Sequence, residues 1–198
     1  MPRSRGHRSR TFSSKPEEFT PLPSFRRLAK VAGIKNIGED SLQQVAKYYV
    51  QVLKDILKIV TTLVEYEHKK TVTEEHIIQA LQLSNIKYYS TGESSCKPCK
   101  KYSRGKRSSS LTEIKFYQKI YQECCHIPSS VFNRTVRTVI QEYKNSLRFT
   151  SEAITSLHYA IESILIQFLQ KTNLVAIHAS RETVKEKDIE LVKELVKQ

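Results

Sequence analysis

No Pro or Gly interrupts the chain after Pro128, and within that stretch Thr150–Ala179 keeps one apolar face. Ile154, Leu157, Ile161, Ile164, Phe168 and Val175 fall mostly three and four apart, the spacing of one side of an α-helix. At ~1.5 Å per residue such a helix reaches about 45 Å, too long to bury its own stripe. Something must lie across it. The same chain holds a counterpart. Between Asp40 and His68, the residues Leu42, Val45, Tyr49, Val52, Ile56, Ile59 and Leu63 alternate steps of three and four without a break.

Shorter helices flank both long ones. Before and after the first, the sequence predicts Phe25–Ala32, capped by Ser24 and ended near Gly33, and a helix capped by Thr73 with Glu74 and Glu75 in its first turn. Around the second it predicts Leu111–Lys119, a helix from Ser129 or Ser130 to Tyr143, and a closing helix from Lys185 to Val196. The plan short, long, short, with basic loops, therefore occurs twice. One copy alone leaves its stripe wet, whereas two copies can cross their long helices and bury both. Residues 24–92 and 111–198 form the two expected modules. Residues 1–23 read as a disordered basic tail and 93–110 as a mobile basic linker. Such a linker holds the modules at an effective concentration in the ~mM range.

The net charge of +13 sits mainly in those two low-complexity stretches. Five cations face two anions in residues 1–23, and seven face one in residues 83–112, while the periodic regions are nearly balanced. Flexible basic arms on compact modules point to a polyanionic partner. No apolar run is long enough to span a membrane. The opening MPRSRGHRSRTF has no apolar core behind its charges, so a secretion signal is not expected. Four unevenly placed Cys favour a reducing compartment.

Particular residues carry a resemblance. LRF at Leu147–Phe149, TNLVAIHA at Thr172–Ala179, R-x-T at Arg181–Thr183 and K-D-I at Lys187–Ile189 are very similar to core histone H-three. LTEIKFYQK at Leu111–Lys119 is similar to that histone's extra N-terminal helix. RRLA at Arg26–Ala29, GIKNI at Gly33–Ile37, KKTVT at Lys69–Thr73 and ALQ at Ala80–Gln82 resemble histone H-four. The implied fold class is all-α: two histone folds paired in an intrachain handshake heterodimer. Fused in this order, the chain resembles the histone doublets of large DNA viruses of the marseillevirus kind. That implies packaging of double-stranded DNA in nucleosome-like particles, in the virion and in the host nucleus or a cytoplasmic viral factory. It also implies a second doublet, resembling histones H-two-B and H-two-A, as partner.

In a handshake pair the first loop of one module lies beside the second loop of the other, and helix N-termini present N–H groups to anions. The expected DNA contacts are Arg26, Arg27, Lys35, Lys69, Lys70 and Thr71 in the first module. In the second they are Arg134, Arg137, Arg148, Phe149, Arg181 and Thr183, with Lys115 and Lys119 on the linker-side helix. Phosphate contacts of this kind give affinity without reading sequence. By resemblance, Arg148 enters the minor groove. Likewise His178, Arg181, Asp188 and Leu191 form a four-helix contact with a second copy, and an extension carrying Tyr88, Tyr89 and Gly92 docks a neighbouring histone. The chain also departs from the family. Asn36, Thr112, Pro128, Ser129 and Ser180 stand at basic positions, and His76 replaces an Asp that braces the second loop of H-four. A weaker grip at several points follows.

Cys96-x-x-Cys99 has zinc-knuckle spacing, and Cys124, Cys125 and His126 could add ligands. One such pair in a linker is a weak signal, so free thiols and no metal or other cofactor are expected. No P-loop, GxGxxG, GxSxG or HExxH occurs, and no enzyme is expected. Two other readings stay open. One is a histone-fold scaffold for a transcription-type protein complex that does not wrap DNA. The other is a stand-alone compacting protein like archaeal histones. The loop arginines speak against the first, and Tyr88, Tyr89 and Gly92 against the second.

Overall fold

The computed structural model describes residues 21–86, 100, 102–103, 109–121, 124–144 and 147–196. The tail and most of the linker lie outside them. Among the described residues, seven helices and four two-residue strands follow in order: α1 (Leu22–Val31), β1 (Asn36–Ile37), α2 (Glu39–Tyr66), β2 (Thr71–Val72), α3 (Glu74–Leu83), α4 (Ser110–Ile120), α5 (Ser129–Gln141), β3 (Arg148–Phe149), α6 (Ser151–His178), β4 (Thr183–Val184) and α7 (Glu186–Val196). The short, long, short plan thus appears in each half. Among the described residues no helix is long and apolar enough to cross a membrane.

Several helix ends differ from expectation, each for a local reason. Helix α1 begins at Leu22 with Pro21 as its cap residue. Pro23 sits in its first turn, where a missing N–H breaks no helical bond. Ser24 is therefore inside the helix, its N–H bonded to Pro21 O at 2.8 Å, and it does not cap. Likewise Pro128, not Ser129 or Ser130, occupies the cap position of α5. Thr150 does cap α6, accepting from Ala153 N at 3.2 Å. His68, Asn85 and Ser180 have φ near +54° just after α2, α3 and α6, the left-handed position where glycine is usual.

Helices α2 and α6 have 28 residues each and carry the core between them. Tyr48 stacks on Phe168 across the halves, ring centroids 3.9 Å apart. Each short helix also reaches into the other half: α1 packs on α6, α3 on α6, and both α5 and α7 on α2. One continuous apolar cluster runs from Phe25 to Val192, so neither half owns a core. The buried arc is wider than the expected stripe. Leu53, Leu57, Val60 and Val64 are buried along α2, while Val52, Ile59 and Leu63 are only partly so. On α6, Ile154, Ile164 and Val175 are partly buried beside the fully covered Leu157, Ile161 and Leu169. A helix packed from several directions needs a broader apolar face than a single seam.

Polar contacts tie the halves at the rim of this core. Lys54 Nζ pairs with Glu142 Oε2 at 2.8 Å and Lys144 Nζ with Glu65 Oε1 at 2.9 Å. Ser156 Oγ donates to Glu74 Oε1 at 2.6 Å. Exposed pairs of this kind each contribute ~0–1 kcal/mol; the apolar cluster sets the stability.

Candidate nucleic-acid interface

The loops meet in two places. Strand β1 pairs in parallel with β4, Asn36 opposite Thr183 and Ile37 opposite Val184. Strand β2 pairs in parallel with β3, Thr71 opposite Arg148 and Val72 opposite Phe149. Arg148 N donates to Lys70 O at 3.0 Å, and Thr150 N to Val72 O at 3.1 Å. Each strand ends where a helix begins, so each loop pair carries two helix N-termini: α2 and α7 at one, α3 and α6 at the other. Val72 and Val184 are fully buried under the pairs, whereas Thr71 and Thr183 are exposed.

The two edges differ in charge. At β2–β3, Lys70 and Arg148 are exposed and make no ion pair among the described residues. Lys69, beside them, is held by Glu67 at 2.6 Å; that hydrogen bond raises the Lys69 pKa and lowers that of Glu67. At β1–β4 the cations are already matched. Lys35 Nζ binds Glu182 at 2.7 Å. Arg181 donates from both Nη atoms to Asp188, at 2.6 and 3.0 Å. Burial pushes the Asp188 carboxyl up, but the Arg181 guanidinium and the Lys185 N–H outweigh it and hold it below its ordinary value. The first turns of α2, α3, α6 and α7 also hold acids. These favour the helix dipole and at the same time oppose phosphate.

Helices α1 and α5 have no acid in their first turns. Arg26 is exposed on α1, and Arg134 and Arg137 are exposed on α5. The α5 arginines line a polar groove with Ser130, Asn133, Thr138 and Gln141. Lys115 and Lys119 are exposed on α4. Arg27 turns inward instead, donating from Nη2 to His126 O at 2.7 Å and Ser24 Oγ at 2.9 Å. It ties α1 to the loop before α5. Phe149 is half-buried against the apolar cluster, its backbone forming the β3 bridge.

His76, which the sequence leaves as a lost brace, replaces it. Its Nδ1 accepts from Thr73 N at 2.9 Å and contacts Thr73 Oγ1, closing a capping box at α3. The other ring nitrogen, Nε2, reaches Glu67 Oε2 at 2.9 Å. The second loop of the first half is thereby anchored to the end of α2. At the far end of α6, His178 is exposed, as are Leu191 on α7 and the apolar Leu174, Ile177 and Leu195 around them.

Tyr88, Tyr89, Gly92, Cys96 and Cys99 lie outside the described residues. The free-thiol expectation is corrected at Cys125, which is disulfide-bonded, while Cys124 keeps a buried thiol that donates to Ile120 O at 3.4 Å. A bridge requires two Cβ atoms to come within about 4.5 Å, an approach that residue spacing does not reveal. Sequence reasoning also misses His158 and Glu162 as part of a site. Their signal is present: two polar side chains four apart on the stripe of α6, both buried.

Residues 106–195 match the family model described as the core histone domain, the one shared by histones H-two-A, H-two-B, H-three and H-four. That family is non-enzymatic, and its members bind DNA and pair with other histone folds. The second half of this chain therefore matches a core histone domain over residues 106–195.

Proposed function

We propose that this protein is a histone doublet, an H-four-like module fused to an H-three-like one, that wraps and compacts double-stranded DNA in nucleosome-like particles without reading its sequence. The observation that carries this is the β2–β3 pair, which sets the loops of Lys70 and Arg148, from opposite halves, side by side, neither cation in an ion pair among the described residues. Two adjacent cations over two helix N-termini suit consecutive phosphates flanking an inward-facing minor groove. Arg26, Arg134 and Arg137 extend the positive edge over α1 and α5.

In this reading a second copy joins through the exposed apolar end of α6 and α7, with His178 of one chain meeting Asp188 of the other. Both Asp188 oxygens already accept hydrogen bonds, and carboxylate oxygens have lone pairs to spare. A separate H-two-B/H-two-A-type doublet docks on the extension of Tyr88, Tyr89 and Gly92. The packaged DNA is that of a large DNA virus, in virion and host nucleus or cytoplasmic viral factory. The scaffold reading draws its support from the β1–β4 edge, where Lys35 and Arg181 are already neutralised. Nuclease digestion of random DNA mixed with the protein, with and without an H-two-type partner, separates the two. A ladder of protected fragments is expected; a smear at saturating protein refutes wrapping.

A further inference from the structure

A buried cluster takes no part in the loop pairs. His158 and Glu162 stand one turn apart on α6, and the loop before α5 brings Cys125 and His126 against them. None of the four is more than 4% exposed. Donor atoms of Cys125, His158 and Glu162 all lie within 4.8 Å of one another. His158 Nε2 is 3.3 Å from Glu162 Oε1, about the spacing of two donors each ~2.0 Å from one tetrahedral zinc ion. Phe132 stacks on the His158 ring, centroids 4.2 Å apart and planes within 7°, and fixes its orientation.

His126 is the independent pointer to a missing ligand. Both its ring nitrogens are buried without a hydrogen-bond partner, although buried polar groups are ordinarily satisfied. Its Nδ1 faces Glu162 Oε2 at 3.7 Å. The Glu162 carboxylate accepts from His126 N at 3.2 Å and Ile127 N at 2.7 Å, and each oxygen keeps a lone pair for a cation.

We propose that the reduced protein binds one zinc ion through the Cys125 thiolate, His158 Nε2 and the Glu162 carboxylate, a small rotation of His126 supplying the fourth donor. Thiolate, imidazole and carboxylate together suit zinc and not magnesium or calcium. Cys125 is disulfide-bonded in this structure, so reduction comes first. Two thiols of a thiol reductant deliver two electrons and become a disulfide, and the protein bridge takes up two protons to leave two thiols. Zinc then displaces the Cys125 proton to solvent. The ion would pin the loop before α5 to the middle of α6.

The test uses the full chain, reduced with dithiothreitol, freed of it without air, and titrated with cobalt(II) and then zinc. A thiolate-to-cobalt charge-transfer band, abolished by zinc, and about one zinc retained per chain after dialysis are expected. Cys125→Ser and His158→Gln should each lower zinc affinity by about tenfold or more. If either variant fails to fold, the Cys96→Ser, Cys99→Ser double variant decides: it should keep the thiolate-to-cobalt band, and its loss overturns the site. Absence of the thiolate band, or no zinc retained, overturns the site. So does full retention in both variants, including the case where only the Cys96→Ser, Cys99→Ser double variant loses the metal.

Discussion

Replacing Lys70 and Arg148 together by alanine isolates the β2–β3 edge. Both side chains are exposed, neither is ion-paired among the described residues, and their loops are held by backbone hydrogen bonds that alanine preserves. Stability should change little, so the effect falls on DNA. Each phosphate contact contributes ~0.9 to the slope of log K against log salt; the double variant should therefore lose about 1.8 per chain. Taking the counterion contribution as vanishing near 1 M salt, two contacts amount to ~60-fold in affinity at 0.1 M, or about 2.5 kcal/mol. Lys35→Ala is the control, because its cation already binds Glu182 at 2.7 Å and must leave or share that partner to reach a phosphate. Its slope loss should fall well below ~0.9. The assay is fluorescence anisotropy on a short duplex across a salt series. Equal slope losses per charge at the two edges would refute the argument from ion pairing. An unchanged slope in the double variant would remove DNA from the β2–β3 edge altogether.

Three more outcomes are expected. His76→Ala opens the capping box of α3 and frees Glu67, so unfolding in urea should show a loss of about 1–2 kcal/mol. Asp188 has a folded pKa below its unfolded value, so its pairing stabilises the protein above about pH 4 and fades as pH falls through the folded pKa. The stability gap between the unaltered chain and Asp188→Asn, followed by urea midpoints, should therefore close in acid and not in base. His178→Ala removes one partner of the proposed contact between copies; light scattering should show two-chain assemblies weakened about 10- to 100-fold, and unchanged mass at all concentrations would discard that contact.

The architecture was legible because it rests on periodicity. The unbroken three-and-four rhythm of α2 and the Gly-free run of α6 fixed two long helices, and two wet stripes demanded each other. The loop pairs were legible only through resemblance, in LRF and KKTVT, since two-residue strands leave no periodic trace. The helix starts at Ser24 and Ser129 differ from expectation for one reason: each follows a proline that already sets the entry to the helix. Which cations remain available was not legible at all. Lys35 meets Glu182 and Lys144 meets Glu65 across 147 and 79 residues of sequence, and no local rule foresees that. The value of His76 as a brace was hidden because it depends on which ring nitrogen faces Thr73. His158 and Glu162 stand out as polar breaks in an apolar stripe, yet only the return of the loop at Cys125 and His126 makes them a cluster.

The parallel bridges have a consequence for how the protein is made. Asn36 waits for Thr183, and Thr71 for Arg148. A ribosome adding ~5–20 residues per second needs roughly 5–20 s to extend the chain from Leu83 to Val192. For most of that interval α2 stands clear of the ribosome with its oily side uncovered, a natural client for a chaperone. Released chains truncated after Gln82 should be cut rapidly within α2 by protease, and full-length chains should resist. Equal resistance would mean that the first half closes on its own.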